Sequence, residues 1–305
     1  MASIAIERVS DFDKFKIPAK LSGYIALTKP RIIELLLVTT VPTMILAKNG
    51  MPSVGLIILT VVGGTLAAGG ANAANMVADR DIDAIMKRTK GRPLVTGVVS
   101  VTGALVFSVA LEIAAFALLA LTVNLLSAFL ALSATLFYVF VYTLMLKRHS
   151  TQNIVIGGAA GAVPVLVGWS AVNNNLTLTP ILLALVIFLW TPPHFWALAV
   201  KYKEDYAAAK VPMLPSVKSL KRTGVEILIY TVAVVVLSVL LIPGSHLSWI
   251  YGIIASVSGL GFLLLAIRLL QKPTPKVAMN LFKYSITYLT ALFGAIALDI
   301  LVHHP

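Results

Sequence analysis

The sequence NAANMVADRDIDAIMKRTKGRP, residues 72–93, follows directly after a long apolar run. A helix that begins inside a membrane is therefore predicted to carry these polar side chains out at one end. Residues four apart are neighbours on one face of an α-helix. Asn75, Asp79 and Asp83 are thus predicted to form a row of oxygen ligands with about 6 Å of rise per step, and Asp81 to face the other side.

The row of Asn75, Asp79 and Asp83 has the chemistry of a magnesium site. Mg²⁺ prefers oxygen ligands, keeps several waters and commonly shares its coordination shell with substrate phosphates. Cations follow within a few residues, as an anionic ligand requires: Lys87, Arg88, Lys90 and Arg92. An ordinary solvated helix end is the alternative. The metal site is favoured because three of only twelve acidic residues lie here, and close carboxylates repel one another unless a cation lies between them.

Composition places the chain among all-α, polytopic membrane proteins. Apolar residues make up 59% of the sequence, charged residues make up 12%, and the mean hydropathy is +0.94. No soluble core could bury so much apolar surface. Nine apolar runs each have about the length needed to cross a bilayer. They are residues 32–49, 54–74, 103–122, 124–146, 153–172, 179–200, 225–242, 248–270 and 284–302.

The formal charge of +12 indicates membrane topology rather than a nucleic-acid partner, because of where the cations lie. Of the 24 Lys and Arg residues, 23 lie before the first run or in loops after even-numbered runs, and only Lys48 falls on the opposite side. Cytoplasmic loops carry the excess of Lys and Arg in membrane proteins. The amino terminus is therefore predicted to be cytoplasmic and the carboxyl terminus outside, with the lipid bilayer as the surrounding partner.

The first thirty residues indicate neither a secretory signal nor a mitochondrial presequence. They lack a short apolar core with a small-residue cleavage site, and they contain Glu7, Asp11 and Asp13. The predicted location is a prokaryotic cell membrane. Residues 1–31 are predicted to form a cytoplasmic segment and residues 32–303 a single transmembrane domain. The absence of cysteine excludes disulfides, thiolate metal sites and cysteine nucleophiles.

A second polar region, KYKEDYAAAKVPMLPSVKSLKR at residues 201–222, follows the sixth apolar run. Like the first region, it joins an apolar run to mixed acids and bases and then to a proline-bounded turn. The two regions lie four runs apart, which predicts two four-helix repeats with a ninth helix appended. Their polar ends are predicted to face each other across a central cavity. Since the outer connections are short and nearly uncharged, the chemistry is predicted at the cytoplasmic face.

The stretch LKRHSTQN, residues 146–153, lies between the two polar regions. Its cations are interpreted first as a cluster at the membrane interface. The next helix contains closely spaced glycines, for which close helix packing is favoured and room for a flat ligand is the alternative; these are Gly157, Gly158 and Gly161. Glu34 and Glu112 lie within apolar runs and stay unassigned functional candidates.

In LWTPPHFWALAV, residues 189–200, paired prolines, His194 and three aromatic rings interrupt a membrane-embedded run. A lone histidine is often structural, and Trp190 and Trp196 have the chemistry of interfacial anchors. Irregular backbone at membrane depth is tolerated where it lines a cavity. A pocket role for His194, with haem iron ligation as one form of it, is therefore an equal alternative.

Five stretches together resemble the UbiA superfamily of intramembrane prenyltransferases and, within it, the branch that farnesylates haem. The stretches are LTKPRI at 27–32, NMVADRDIDAIMKRTKGRP at 75–93, NIVIGGAAGAVP at 153–164, WTPPHFWAL at 190–198 and KYKEDYAAAKVPMLP at 201–215. They are spread over most of the chain in the family's order. The resemblance is therefore far more specific than the acidic row alone.

The resemblance implies an all-helical bundle whose central cavity binds farnesyl diphosphate through Mg²⁺ and holds haem B beside it. The implied metal ligands, which are also the implied catalytic residues, are Asn75, Asp79 and Asp83. The cations implied to bind the diphosphate are Arg88, Arg92, Lys147, Arg148, Lys201 and Arg31. The implied acceptor pocket contains His194, Trp190 and Asn153.

The chain departs from the wider superfamily in the second polar region. Many members have a second Asp-x-x-x-Asp row there, whereas this chain has Tyr202 and Tyr206 at the corresponding positions. The haem branch is similar in this respect. The departure therefore favours that branch and puts a second Mg²⁺ in doubt.

The reaction implied by the resemblance is transfer of a farnesyl group to a haem vinyl group, followed by water addition, for haem-copper oxidase biogenesis. Haem A synthase and oxidase assembly proteins are the implied partners. Two other hypotheses stay open: a related prenyltransferase acting on a quinone precursor or a chlorin, and a cation-coupled transporter. The TPPHF stretch and the missing second acidic row favour haem. A transporter places ionisable residues near the bilayer midplane, whereas here they gather at one face.

Overall fold

The computed structural model describes residues 18–242, 245 and 247–303, and for residues 31–37 it describes the backbone alone. All regular secondary structure within these residues is helical. The helices are α1 Ala19–Thr28, α2 Pro30–Lys48, α3 Val54–Ala78, α4 Arg80–Ile85, α5 Val101–Thr122, α6 Leu125–Leu136 with a π-helical continuation Phe137–Leu146, α7 Asn153–Asn173, α8 Leu178–Lys201, α9 Lys203–Ala208, α10 Leu214–Val217, α11 Leu220–Leu240, α12 Trp249–Gln271 and α13 Pro275–His303. The first seventeen residues of the predicted cytoplasmic segment, and the side chains of Arg31 and Glu34, lie outside the described residues.

The predicted all-helical membrane fold is confirmed. Eight of the described helices are long and apolar enough to cross a membrane, namely α3, α5, α6 with its continuation, α7, α8, α11, α12 and α13. α2 covers the first predicted run with 19 residues, a length of about 28 Å. α11 and α13 begin at Leu220 and Pro275, well before the predicted runs, because charged residues such as Lys221 and Lys276 end an apolar run without ending a backbone helix.

Serine and asparagine begin several of the membrane helices. The side chain of Ser53 accepts a hydrogen bond from the Leu56 amide, and that of Asn124 accepts one from the Ser127 amide at 2.8 Å. The same cap occurs at α5, α11 and α12, with Ser100, Ser219 and Ser248. The first amides of a helix have no intrahelical partner, so these caps fix where each helix starts.

Close backbone contacts hold the bundle together where glycine permits them. A Cβ atom on Gly70 of α3 would lie 2.9 Å from the carbonyl oxygen of Ser108 in α5. The Ser108 hydroxyl in turn donates to the Gly70 carbonyl at 2.7 Å. A Cβ atom on Gly168 of α7 would lie 2.7 Å from the Thr40 carbonyl oxygen in α2. Small residues are enriched at membrane helix interfaces because packing, rather than a hydrophobic driving force, holds such helices together.

The π-helical end of α6 changes which side chains reach the interior. The Lys147 amide donates to the Tyr142 carbonyl at 2.8 Å, and the Thr143 hydroxyl donates to the Tyr138 carbonyl at 2.8 Å. Both bonds span five residues, so the helix is wider here than an α-helix. Segments of this kind frequently mark functional sites. They direct Tyr138, Tyr142 and Lys147 toward the central cavity.

α1 packs against the bundle and leads into the same region. Leu27 is fully buried, and Gly23 lies close to Val98 and Val99. The chain then passes through Lys29, whose φ of 52° is left-handed, before α2 begins. Residues at the end of the predicted cytoplasmic segment therefore contribute directly to the interior of the bundle.

Candidate active site

A cavity of about 380 Å³ lies among α2, α3, α6, α7 and α8. Seven charged or amide side chains among the described residues line it, and we call their part of the wall the polar end: Lys29, Asn72, Asn75, Asp83, Arg88, Arg92 and Lys147. The rest of its wall is made largely of small, apolar and aromatic side chains, among them Ala67, Gly161, Val163, Ile187 and Leu289. The cavity therefore joins a cationic site for an anion to an apolar chamber.

In the predicted row, Asn75 and Asp83 line the polar end of the cavity, and Asp79 is buried beside them without lining it. One expectation about the row is wrong. The three residues do not lie on one continuous helix, because α3 ends at Ala78 and Asp79 separates it from α4. The spacing survives the break because the Asp79 amide donates to the Asn75 carbonyl at 2.9 Å and the Asp83 amide donates to the Asp79 carbonyl at 2.8 Å. All three residues are at most 3% exposed.

Each member of the row is paired with a cation. Lys29 Nζ donates to Asn75 Oδ1 at 2.7 Å, and Arg92 Nη1 donates to Asp83 Oδ2 at 2.5 Å. Lys147 Nζ donates to Asp79 Oδ2, which also accepts from Asn75 Nδ2 at 2.9 Å. Charges this deeply buried are stable only when they are paired and hydrogen-bonded.

Lys29 is a member of this site that the sequence reasoning missed. Nothing in the sequence relates residue 29 to residue 75, and the contact arises only when α1 packs beside α3. Burial, followed by the neighbouring cations Arg92 and Lys147, lowers the pKa of the Lys29 ammonium from its usual 10.5 to about 7.

The residues of the row fit a divalent cation that prefers oxygen. Asp79 Oδ1 is completely buried next to the cavity-lining Asn75 and has no hydrogen-bond partner among the described residues, so its lone pairs are unused. No group of three His, Cys, Asp or Glu side chains suited to a metal occurs in the described part of the chain. A metal here would therefore rely on one amide, two carboxylates and oxygens of water or substrate, which is a common set for Mg²⁺.

Arg148, one of the predicted diphosphate-binding cations, is engaged elsewhere. Its guanidinium binds Asp81 through two hydrogen bonds of 2.6 and 2.7 Å and also donates to the Ala78 carbonyl at 2.7 Å. The hydrogen bond from Arg148 is the main cause that lowers the pKa of the Asp81 carboxyl to about 2. This pair lies on the solvent side of the helix break, and it fastens α4 to the end of α6.

The second polar region places aromatic rings where the first has carboxylates. Tyr206 is buried and lines the cavity. The guanidinium carbon of Arg88 lies 5.5 Å from the centre of the Tyr202 ring, and Lys201 Nζ lies 5.3 Å from the same centre. Both cations are exposed, but only Arg88 lines the cavity. Of these two predicted phosphate ligands, the structure brings Arg88 to the polar end.

Two more tyrosines, also missed by the sequence reasoning, line the cavity beside the row. Tyr138 and Tyr142 stack with ring centroids 5.3 Å apart, and Lys147 Nζ lies 6.0 Å from the Tyr142 ring centre. Thr143, from the same π-helical segment, accepts a hydrogen bond from Asn75 Nδ2 at 3.1 Å. A helical period of 3.6 residues does not predict these positions, because the segment is wound with five-residue hydrogen bonds.

The predicted acceptor residues occupy different positions. Trp190 lines the cavity and donates from Nε1 to the Ser285 carbonyl at 2.8 Å. His194 is buried behind it, stacked between Trp190 and Phe282 at ring distances of 4.2 and 4.5 Å. His194 Nδ1 pairs with the Ser285 hydroxyl at 2.7 Å. Trp190 therefore faces the chamber directly, and His194 supports it from the α13 side.

Asn153, the third predicted acceptor residue, is completely buried at the start of α7. Neither polar atom of its side chain has a hydrogen-bond partner among the described residues. Ile154, the next residue, lines the cavity. Burying such an amide without a partner costs free energy, which a hydrogen bond to a ligand would recover. A role for Asn153 in ligand binding therefore stays a prediction.

Both interpretations of the α7 glycines apply, at different positions. Gly158 packs closely on Thr191 of α8, where an added Cβ atom would lie 3.0 Å from the Thr191 Cβ atom. Gly161 lines the cavity and has no atom within 4 Å of an added Cβ among the described residues.

Glu112 accepts a hydrogen bond at 3.1 Å from Thr135, a cavity-lining residue of α6.

Comparison with known proteins identifies close relatives over nearly the whole chain. The pattern of the UbiA prenyltransferase family matches residues 36–292. The chain is 52% identical over 288 residues to protoheme IX farnesyltransferase 1 of Saccharopolyspora erythraea, covering 93% of this chain and 92% of the relative. It is also 52% identical over 297 residues to the protoheme IX farnesyltransferase of Renibacterium salmoninarum, covering 96% and 93%.

Solved structures with much lower identity share the fold. A digeranylgeranylglyceryl phosphate synthase matches with a TM-score of 0.77 and 20% identity, over 93% of this chain and 99% of that one. A UbiA homologue from Archaeoglobus fulgidus, bound to GPP and Mg²⁺, matches with a TM-score of 0.64 and 17% identity, over 90% and 99%. The helical arrangement is therefore kept while most side chains differ.

Proposed function

This chain belongs to the UbiA prenyltransferase family, and we propose that it transfers the farnesyl group of farnesyl diphosphate to a vinyl group of protoheme IX, haem B, to give haem O. The observation that carries the proposal is 52% identity, over 93% of the chain, to a relative named protoheme IX farnesyltransferase. The cavity supports it physically, because its cationic end and apolar chamber have the chemistry that a prenyl diphosphate requires.

The polar end binds the diphosphate. Asn75, Asp79 and Asp83 would hold Mg²⁺, whose positive charge stabilises the leaving diphosphate. The cavity-lining cations Lys29, Arg88, Arg92 and Lys147 provide hydrogen-bond donors and charge for the phosphate oxygens. Roles for Arg148, Lys201 and Arg31 in the same binding remain predictions. With Tyr202 and Tyr206 in the second region, we expect one acidic metal site rather than two.

The residues of the polar end promote cleavage of the allylic C–O bond. When this bond breaks, its electron pair leaves with the diphosphate, and fixed cations stabilise the charge that develops on the oxygens. Each well-placed group of this kind is worth about 3 kcal/mol in other enzymes. The farnesyl chain extends into the apolar chamber, where side chains such as Ala67, Val163 and Leu289 keep water from the allylic cation.

The haem vinyl group is the acceptor in this proposal. Its terminal carbon forms a bond to C1 of the farnesyl group, which leaves a cation on the carbon next to the porphyrin. Water adds to that carbon and loses a proton to solvent, giving a hydroxyethylfarnesyl substituent. Trp190, which faces the chamber, offers a flat surface for the porphyrin, and His194 holds Trp190 in place from behind.

The orientation and surroundings follow from the charge distribution. The protein is a multi-pass membrane protein, and we place the polar end at the cytoplasmic face of a prokaryotic cell membrane, with the carboxyl terminus outside. Residues 32–303 would act as a single domain, with residues 1–31 as a cytoplasmic segment that ends in the site through Lys29. Haem A synthase and oxidase assembly proteins are the proposed recipients of the product.

The test is incubation of membranes containing the protein with haem B, farnesyl diphosphate and Mg²⁺, followed by mass spectrometry. We expect farnesylated, hydrated haem, and none without Mg²⁺. Parallel incubations with a quinone precursor and with a chlorin serve as controls for acceptor class. Prenylation of either of these, with haem left unmodified, would assign the protein to another branch of the family.

A further inference from the structure

We propose that the cations of the polar end hold the metal-ligand residues until the diphosphate arrives, so that metal and diphosphate bind cooperatively and neither binds well alone. This inference rests on the proposed function, because it concerns the same site. It goes further by assigning the cations two successive partners, first the oxygen ligands of the row and then the phosphate oxygens.

The first step of the argument is that the ligand oxygens are already in use. Lys29 occupies Asn75 Oδ1, Arg92 occupies Asp83 Oδ2, and Lys147 occupies Asp79 Oδ2. An ammonium or guanidinium hydrogen and a metal ion compete for the same lone pairs. A divalent cation that arrives alone must therefore displace cations that have no ion pair with another carboxylate among the described residues.

The second step is electrostatic. The four cations that line the cavity are Lys29, Arg88, Arg92 and Lys147, and the acids of the row are Asp79 and Asp83. A bare divalent cation adds positive charge to a buried site that is already positive, and like charges at short range oppose each other. A diphosphate reverses this balance because it draws the cations away from the row. The oxygens they leave are then free for the metal.

A third observation shows that the site is prepared for a metal in spite of these pairings. Asp79 Oδ1 is completely buried without a hydrogen-bond partner among the described residues. Buried carboxylate oxygens are normally satisfied, and an unsatisfied one costs free energy. Asp79 does not line the cavity, so this oxygen becomes a ligand when the Lys147 ammonium leaves the same carboxylate. The positions at Asn75 and Asp83 likewise open only when their cations move.

The experiment measures Mn²⁺ binding to the full chain in detergent by electron paramagnetic resonance. Mn²⁺ is titrated into the protein alone and then in the presence of farnesyl thiolodiphosphate, an analogue that does not react. Samples that contain Mn²⁺ and the analogue but no protein give the amount of Mn²⁺ that the analogue binds in solution, which is subtracted. We expect the analogue to tighten Mn²⁺ binding by at least about tenfold, and Mn²⁺ to tighten analogue binding by the same factor, since such coupling is reciprocal.

Lys147→Gln separates this mechanism from a preformed metal site. Removing the cation leaves Asp79 Oδ2 with only its hydrogen bond from Asn75, so Mn²⁺ alone should bind at least about fivefold more tightly, and the coupling should fall by a similar factor. Arg92→Gln should likewise tighten Mn²⁺ binding and weaken the coupling, because it removes the cation paired with Asp83. It replaces Lys147→Gln in the test if that variant does not fold. Lys147→Arg keeps the charge and should keep the coupling. Lys87→Gln, which removes an exposed cation from the same connection, should change neither quantity.

Two results would overturn the inference: equal Mn²⁺ affinity with and without the analogue in the unmodified chain, or no gain in Mn²⁺ affinity in both Lys147→Gln and Arg92→Gln. Neither result depends on the acceptor. If farnesylated haem forms but the coupling is absent, the function stands and this inference fails. If the coupling is present and haem is not modified, the proposed function fails instead.

Discussion

Two regions at the polar face have the same backbone plan and opposite chemistry. In the first, α3 ends, Asp79 breaks the helix with φ −92° and ψ 1°, and the six-residue α4 follows. In the second, α8 ends, Tyr202 breaks the helix with φ −106° and ψ 22°, and the six-residue α9 follows. Asp83 and Tyr206 each come four residues after the break. The two aspartates of the first region thus correspond to the two tyrosines of the second.

The difference teaches that the backbone plan alone does not make a metal site. In the first region, buried carboxylates accept hydrogen bonds from Lys147 and Arg92, two cations that line the cavity. In the second, the ring of Tyr202 is approached by Arg88 at 5.5 Å. A neutral phenol stabilises a nearby cation through its ring face far more weakly than a carboxylate does. We therefore expect the second region to position a cation for the diphosphate rather than to hold a second divalent ion.

Asp79→Asn should have the largest effect, because it removes the charge at the centre of the first region. We expect turnover of farnesyl diphosphate to fall by about 1000-fold, measured as farnesylated haem formed per minute at saturating Mg²⁺. Glu204→Gln, an exposed carboxylate of the second region, is the matched control and should keep near-normal turnover. Full activity in Asp79→Asn would mean that the row does not hold a metal.

Tyr206→Asp tests whether the second region can be converted into the first. Replacing a buried ring by a carboxylate leaves a cavity and an unpaired charge, so the free energy of unfolding should fall by about 3 kcal/mol. Thermal unfolding in detergent gives the measurement, and Tyr206→Phe, which keeps the ring, should lose under about 1 kcal/mol. A stable Tyr206→Asp protein that binds an additional equivalent of Mn²⁺ would contradict our account of the difference.

Arg88→Gln and Lys201→Gln separate the two cations beside Tyr202. Arg88 lines the cavity and Lys201 does not, so the first change should raise the KM for farnesyl diphosphate about tenfold, or about 1.4 kcal/mol. The second should raise it less than about threefold. Steady-state kinetics at fixed haem supplies the comparison. Equal effects would restore Lys201 to the set of phosphate ligands that the sequence predicts.

The smallest effect is expected at the surface of the first region, for Asp81→Asn. Its pKa of about 2 lies below the ordinary value of 3.8, so the pair with Arg148 contributes stability above about pH 4 and loses it as the pH falls through about 2. Because the Asp81 side chain is 63% exposed, solvent screening limits the loss at pH 7 to about 0.5 kcal/mol. The difference in unfolding temperature from the unmodified chain should disappear at pH 2 and shrink in high salt. A difference that persists at pH 2 would show that the carboxylate charge is not its cause.

The sequence determined the membrane class, the approximate helices and the chemical type of the site. A backbone that crosses a bilayer must form its own hydrogen bonds, and an apolar run of this length does so as a helix. These helices therefore follow from composition. The oxygen row was found because i and i+4 neighbours depend only on local geometry. The extra turns at the start of α11 and α13 were missed because hydropathy shows which residues can lie in lipid, whereas a backbone helix can begin earlier, among charged residues.

Only the tertiary structure decided which cations meet the row and which residues face the chamber. Lys29 reaches Asn75 across 46 positions of chain, and Lys147 reaches Asp79 across 68. Such contacts depend on how helices pack, and no local pattern in the sequence encodes that distance. The five-residue winding after α6 turned Tyr138 and Tyr142 inward, and packing placed His194 behind Trp190. Local periodicity fixes which residues share a helix face, but the neighbour that a face meets is set by the long-range packing of the whole bundle.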